Sequence, residues 1–197
     1  MINYYVRAKL PELLTIHSGC ATINNKRFIL VGDKGVGKTT LLCKLLFSGE
    51  MVHSDEYVIL DDSQIIPFPR KFLIKEGTLK FIPELFNICK NLRSYPSSFN
   101  GFYFFFDPTD GGYNWEITSK RMDAIFHLEP NHGEETRVES IPKWQMVEKV
   151  MLQIDNFSSE PGLQIKNLSR VVNECECFNL YLGDLDQAVK IIKEKLL

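Results

Sequence analysis

The sequence predicts an α/β fold, and three observations carry that prediction. A short apolar run, Phe28-Ile29-Leu30-Val31, leads into a glycine-rich turn and then directly into a helical pattern. Further short runs rich in β-branched and aromatic residues alternate with amphipathic stretches along the rest of the chain. The 197 residues are long enough to bury a substantial core, and they read as one domain, 1–197.

The turn is the stretch the other elements serve. Gly32-Asp33-Lys34-Gly35-Val36-Gly37-Lys38-Thr39-Thr40 has the spacing Gly-x-x-x-x-Gly-Lys-Thr between a strand and a helix, which is the pattern of a phosphate-binding P-loop. Its glycines allow successive N–H groups to turn inward around an anion. The helix that starts near Lys38 adds the positive end of its dipole. In this pattern Lys38 reaches the β- and γ-phosphates and the Thr39 hydroxyl ligates Mg²⁺. Residues Gly32 to Thr40 are therefore the expected nucleotide-binding set.

Before the turn, Tyr4–Val6 and Ala21–Ile23 read as strands, and Asn24-Asn25-Lys26 joins the latter to Phe28–Val31. After it, Lys38–Phe47 carries Leu41, Leu42, Leu45 and Leu46 on one side and stops at Ser48-Gly49. Ten helical residues travel about 15 Å away from the turn. A return strand over Glu50–Ser54 covers about 16 Å, so Asp55 and Glu56 are expected back at the level of the phosphates. Two acids there can hold Mg²⁺ or take a proton from an attacking hydroxyl. Asp61-Asp62, at the end of Tyr57–Leu60, competes for that role, but the following Ile65-Ile66 makes a hairpin turn the better account. Asp107, closing the run Phe102–Phe106, is a second competitor.

Further on, Pro67 to Arg70 reads as an extended connector. Thr78–Leu92 reads as one helix with Leu79, Ile82, Leu85, Phe86 and Cys89 in a stripe. Arg93 to Gly101 and Asp107 to Asn114 read as loops. Ala124–Leu128 is a strand, followed by a polar segment to Thr136. Ile141-Pro142 opens a helix to about Asn156, with Trp144, Val147, Val150, Met151 and Ile154 facing inward. Leu163–Asn173 is a helix, Cys177–Leu182 a strand, and Leu185–Leu197 a last amphipathic helix capped by Asp184.

Composition excludes several classes. A net charge of −2 offers no general attraction for nucleic acid or an anionic membrane. No apolar run approaches the roughly 20 residues that span a bilayer. The first residues lack the pattern of a signal peptide, so a cytoplasmic location is expected. The five cysteines read as small core hydrophobes, because the histidines at 17, 53, 127 and 132 have no metal-site spacing with them.

From His17 to Leu60 the chain resembles the catalytic domain of HPr kinase/phosphorylase and its smaller relatives, the HPr-kinase-like serine kinases. The residues that carry the resemblance are His17-Ser18, Gly32 to Thr39, Gly49 and Ser54-Asp55-Glu56. The segment from Pro67 to Thr78, the strand from Ala124 to Pro130, and Gly183-Asp184-Leu185-Asp186-Gln187-Ala188 are also similar to the smaller relatives. The resemblance implies a mixed sheet flanked by helices, like the nucleotide-binding domain of phosphoenolpyruvate carboxykinase. It also implies ATP and Mg²⁺. Carried over, it makes Asp55 the general base on an acceptor hydroxyl, with His17 beside it. Glu56 then supports the metal or that base, and Thr39, Asp55 and Glu56 form the metal set.

Two departures bear on the substrate. The second downstream signature of the enzymes that phosphorylate HPr, with its arginine-containing loop, does not occur, and no extra N-terminal domain is read. HPr is thus not the expected acceptor, and a peptide or small-molecule hydroxyl is. Arg70 and Arg121 are the cations weighed for steadying transition-state charge, with a surface ion pair as the simpler reading of each. The alternative function is a non-catalytic or slowly hydrolysing ATP-binding module. No Asn-Lys-x-Asp occurs to read guanine.

Overall fold

The computed structural model describes residues 13–68, 70–97, 101–113, 117–156 and 161–197. The strand expected at Tyr4–Val6 lies outside them. Among the described residues the architecture is mixed α/β, with three sheets and flanking helices.

The central sheet has six strands in the order β12-β14-β11-β3-β2-β4. These are β2 (Gly19–Ile23), β3 (Lys26–Val31), β4 (Met51–Ser54), β11 (Ala124–Pro130), β12 (Arg137–Ser140) and β14 (Glu176–Leu182). β3, β11 and β14 run parallel, and β2 and β12 run antiparallel to their neighbours. The unbroken apolar run in β3 follows from burial on both faces. Phe28 and Leu30 enter one core, while Ile29 and Val31 enter the other.

The first core is closed by α1 (Lys38–Phe47) and α5 (Leu185–Lys195), together with a small sheet of β7 (Phe72–Lys75), β9 (Phe102–Phe106) and β8 (Ser94–Pro96). The second core is closed by α3 (Lys143–Met151), α4 (Pro161–Glu174) and a five-stranded antiparallel sheet. That sheet has the order β10-β6-β5-β1-β13: β10 (Lys120–Arg121), β6 (Gln64–Pro67), β5 (Tyr57–Asp61), β1 (Leu14–His17) and β13 (Ile154–Asn156).

One feature of the topology positions the residues of the candidate site. β1 and β2 are consecutive, separated only by Ser18, and they pair with β5 and β4, which are separated only by Asp55 and Glu56. A single long antiparallel ladder therefore leaves the six-stranded sheet and enters the five-stranded one at a corner made of these residues.

Several elements differ from the sequence expectations. The helix expected over Thr78–Leu92 is a 3₁₀ turn, Glu76–Lys80, followed by α2 (Pro83–Cys89). Pro83 disfavours helical geometry at the residue before it, and Ile82 is extended at φ −137° and ψ 92°. Leu85 and Cys89 face the core as expected, but Phe86 is exposed. The helix expected from Ile141 to Asn156 ends at Met151, and Ile154–Asn156 pairs with β1 instead. Trp144 is 65% exposed, not inward-facing. The strands β7, β8, β10, β12 and β13 were not expected, being short and at sheet edges, and neither was β1, four residues paired between β5 and β13. The hairpin at Asp61-Asp62 is present, with Asp61 opposite Gln64 and Asp62 at φ 53°. All five cysteines are free and buried. Among the described residues no helix is long and apolar enough to cross a membrane.

Candidate active site

The glycine-rich turn leaves the end of β3 in a conformation that needs its glycines. Gly32 has φ 143°, and a Cβ there would lie 2.8 Å from the Leu128 carbonyl oxygen of the neighbouring strand. Gly37 has φ 105° and caps α1, where a Cβ would meet Leu182 Cδ2 at 2.9 Å. No acidic side chain sits in the first turn of α1, and none caps it. Its N–H groups and dipole are thus left to an outside anion. Asp33, Lys34 and Gly35 form the exposed tip.

Lys38 is buried and folded back across the turn. Its ammonium donates to the Gly32 carbonyl at 2.6 Å and to the Asp33 carbonyl at 3.1 Å. Burial lowers its pKa to about 8, against the raising influence of Asp33 and Glu56; Lys75 adds to the lowering. Lys75 and Glu56 are therefore electrostatic neighbours of this lysine. Val36 and Thr39 are half-buried beside it, and the Thr40 hydroxyl contacts the Thr78 hydroxyl at 3.3 Å.

The acids emerge at the same edge of the central sheet as the turn. Cys20 of β2 is opposite both Ile29 of β3 and Ser54 of β4. β4 therefore runs in the direction of β3, level with it and two strand spacings away, about 10 Å. Ser54 is level with Ile29, so Asp55 and Glu56 come level with Leu30 and Val31, just short of Gly32. α1 packs across β2 and β4 between them.

Asp55 is 4% exposed. Its Oδ2 accepts from the Leu73 N–H at 3.4 Å, and its Oδ1 has no hydrogen-bond partner. Burial lifts its pKa from 3.8 to about 7; the Arg70 guanidinium opposes the rise, and the Glu56 charge adds to it. The carboxylate also helps raise the thiol pKa of Cys43, although burial dominates there. Cys43 lies one helical turn beyond Thr39 on α1, so Asp55 is an electrostatic neighbour of that helix.

Glu56 is ion-paired to Arg70, with both side chains only partly exposed. The Glu56 carbonyl accepts from the Ser18 N–H at 2.9 Å, which brings the end of β1 to the acids. His17 is opposite Tyr57 in the ladder, with ring centroids 5.6 Å apart, and its N–H donates to the Gln153 carbonyl at 2.7 Å. The Gln153 side chain reaches Asp33 of the turn at 3.4 Å. The corner thus joins His17, Glu56 and the turn through Ser18 and Gln153.

Other residues weighed from the sequence stand elsewhere. Asp61 is exposed at the hairpin, and Asp62 pairs with Arg170. Asp107 caps a 3₁₀ turn, accepting from Thr109 N–H at 3.0 Å, with Lys71 3.7 Å away. Arg121 is a surface residue paired with Glu174 at 2.9 Å. Arg70, by contrast, belongs to the acid pair. Its sequence signal was weak because it arrives from a connector rather than from a motif. Leu73, Lys75, Thr78 and Gln153 had no such signal either.

The residues fit a magnesium polyphosphate. Mg²⁺ is commonly held by one or two carboxylates with phosphate and water oxygens completing its shell. Asp55 offers an unpartnered oxygen, and Glu56 and Thr39 are at hand. No group of three or more His, Cys, Asp or Glu side chains suited to a metal occurs among the described residues.

No family model matches the chain, and no curated protein matches it. Among solved structures, it is similar to the HPr(Ser) kinase/phosphatase from Coxiella burnetii. The overlay covers 92% of this chain and 93% of that one, at 11% identity and a TM-score of 0.43.

Proposed function

We propose that this protein is a Mg²⁺-dependent kinase that moves the γ-phosphoryl group of ATP to a Ser/Thr-type hydroxyl on a peptide or small molecule. The observation that carries the reading is Asp55: a buried carboxylate with one free oxygen, at the same end of the central sheet as the glycine turn.

In this reading the N–H groups from Gly32 to Thr40 and the Lys38 ammonium bind the phosphates. Lys38 exchanges its two carbonyl partners for phosphate oxygens. Asp55 Oδ1 takes the proton of the acceptor hydroxyl, and a pKa near 7 suits a base working at neutral pH. Arg70 holds Glu56 in place and keeps Asp55 from rising further. His17 stands at the end of β1 as a second polar group toward the acceptor. With Asp55 Oδ1 serving as the base, Thr39 and Glu56 are the ligands left to Mg²⁺, which when bound would neutralise charge on the β- and γ-phosphates.

The test is incubation with γ-labelled ATP, Mg²⁺ and panels of serine-containing peptides and hydroxyl metabolites. Label on an acceptor with the wild type, and none with Asp55→Asn, is the expected result. Label reaching water alone would favour the slowly hydrolysing binding module.

A further inference from the structure

The outer face of the small sheet has an unusual composition. β9 reads Phe-Tyr-Phe-Phe-Phe, and Phe106 turns inward onto Phe72 and Phe47. The other face of an antiparallel sheet is ordinarily polar. Here Tyr103 and Phe105 of β9 share it with Tyr95 of β8 and Leu73 and Lys75 of β7. Tyr95 and Tyr103 are stacked, with centroids 5.5 Å apart and planes 18° from parallel. Phe105 closes on both edge-on, at 5.5 Å and 5.4 Å. The Arg93 guanidinium lies 5.1 Å from the Tyr95 centroid.

The register gives this row a direction. Tyr95 is opposite Tyr103, and Tyr103 is opposite Lys75. The stack therefore starts at Arg93, crosses two rings and ends on β7. That strand borders the phosphate site: Leu73 N–H donates to Asp55, and Thr78, just after it, touches Thr40 at the start of α1. Lys75 also carries a positive charge that Lys38 feels. A partly exposed ring ladder that ends in a lysine next to a polyphosphate site matches a molecule with a planar base at one end and phosphates at the other.

We propose that Tyr103, with Tyr95 stacked behind it and Lys75 beside it, is the stacking platform for the base of the nucleotide whose phosphates lie at the glycine turn. This rests on the phosphate-binding reading above, and the experiment separates the two. Mg-ATP and Mg-tripolyphosphate are titrated calorimetrically into the wild type, Tyr103→Leu and Tyr103→Trp, after each variant is shown to melt as the wild type does. The wild type should bind Mg-ATP about tenfold to a hundredfold more tightly than Mg-tripolyphosphate. Tyr103→Leu should erase that preference and leave tripolyphosphate unchanged, whereas Tyr103→Trp should keep it. With 2-aminopurine riboside triphosphate, base fluorescence should be quenched by the wild type and not by Tyr103→Leu.

Equal binding of the two ligands by the wild type would overturn the platform and leave the phosphate site standing. So would undiminished Mg-ATP affinity in Tyr103→Leu, which would give the aromatic face to the acceptor or to a protein partner. Failure of the wild type to bind tripolyphosphate at all would remove the phosphate site, and the platform with it.

Discussion

Ser18 donates its backbone N–H to the Glu56 carbonyl oxygen at 2.9 Å. This bond spans the ladder at the point where both of its strands change sheets. It delivers one acid, Glu56, into an ion pair with Arg70 and leaves its neighbour, Asp55, in the interior beside α1. A strand that continued straight would have presented these residues alternately to the two faces of a single sheet. The corner sets them both at the edge where the glycine turn opens.

The first prediction concerns Asp55 and pH. Its pKa is higher folded than unfolded, so the folded state binds the extra proton, and stability falls as pH rises from about 4 to about 7. A rise from 3.8 to about 7 corresponds to about 4 kcal/mol of lost stability at full ionisation. Asp55→Asn should therefore melt higher than the wild type at pH 8, and the gap should close as pH is lowered from 7 toward 4. The same variant should bind Mg-ATP yet fail to transfer phosphate. A pH-independent gap in melting temperature would show that Asp55 is not the strained ionised group.

Lys38 makes the second. Held near pKa 8 by burial, it is partly neutral above that pH and must regain its proton to meet a polyphosphate. Mg-ATP affinity should fall as pH rises through about 8. Calorimetry at pH 8.5 in buffers of different ionisation enthalpy should report proton uptake on binding. Lys38→Met should bind neither Mg-ATP nor tripolyphosphate and should lose the uptake with them.

Arg70 and Glu56 act on Asp55 in opposite senses, which gives a paired test. The guanidinium lowers the Asp55 pKa and the Glu56 charge raises it. Arg70→Met should move the acidic limb of the transfer rate profile to higher pH, and Glu56→Gln should move it to lower pH. Parallel shifts in the two variants would contradict the arrangement.

Two glycine substitutions in the turn should separate cleanly. At Gly32 a methyl group would press on the Leu128 backbone carbonyl, which cannot swing aside. At Gly35 nothing lies within 4 Å, and only the φ of 95° opposes a side chain. Gly32→Ala should cost about 2–4 kcal/mol by urea unfolding, and Gly35→Ala about 1 kcal/mol. Equal costs would mean that the neighbouring strand yields at Gly32.

Much of this arrangement was legible in the chain. The turn, β3 and α1 are local: a four-residue apolar run, glycines where positive φ is needed, and a leucine stripe at helical spacing. The return of Asp55 and Glu56 followed from counting residues, because helix and strand have fixed rises. The short strands β7, β8, β12 and β13 were not legible, since three or four residues carry little periodicity and their pairing partners are distant. The break at Ile82 was written in Pro83, but the apolar stripe that runs across it outweighed that signal. Helical spacing alone turns Trp144 inward, yet α3 turns Met146 and Val150 to the core and leaves the indole outside.

By itself the sequence determined which residues form the glycine turn, where the first helix starts, and how far along the chain the acids come back. It could do so because backbone stereochemistry and element rise are local properties. The tertiary structure alone decided that Asp55 is sealed against β7 and α1 with one oxygen free, that Arg70 is the partner of Glu56, and that a row of rings ends at Lys75. Burial, charge pairing and cross-strand register all depend on segments that meet only when three sheets have packed.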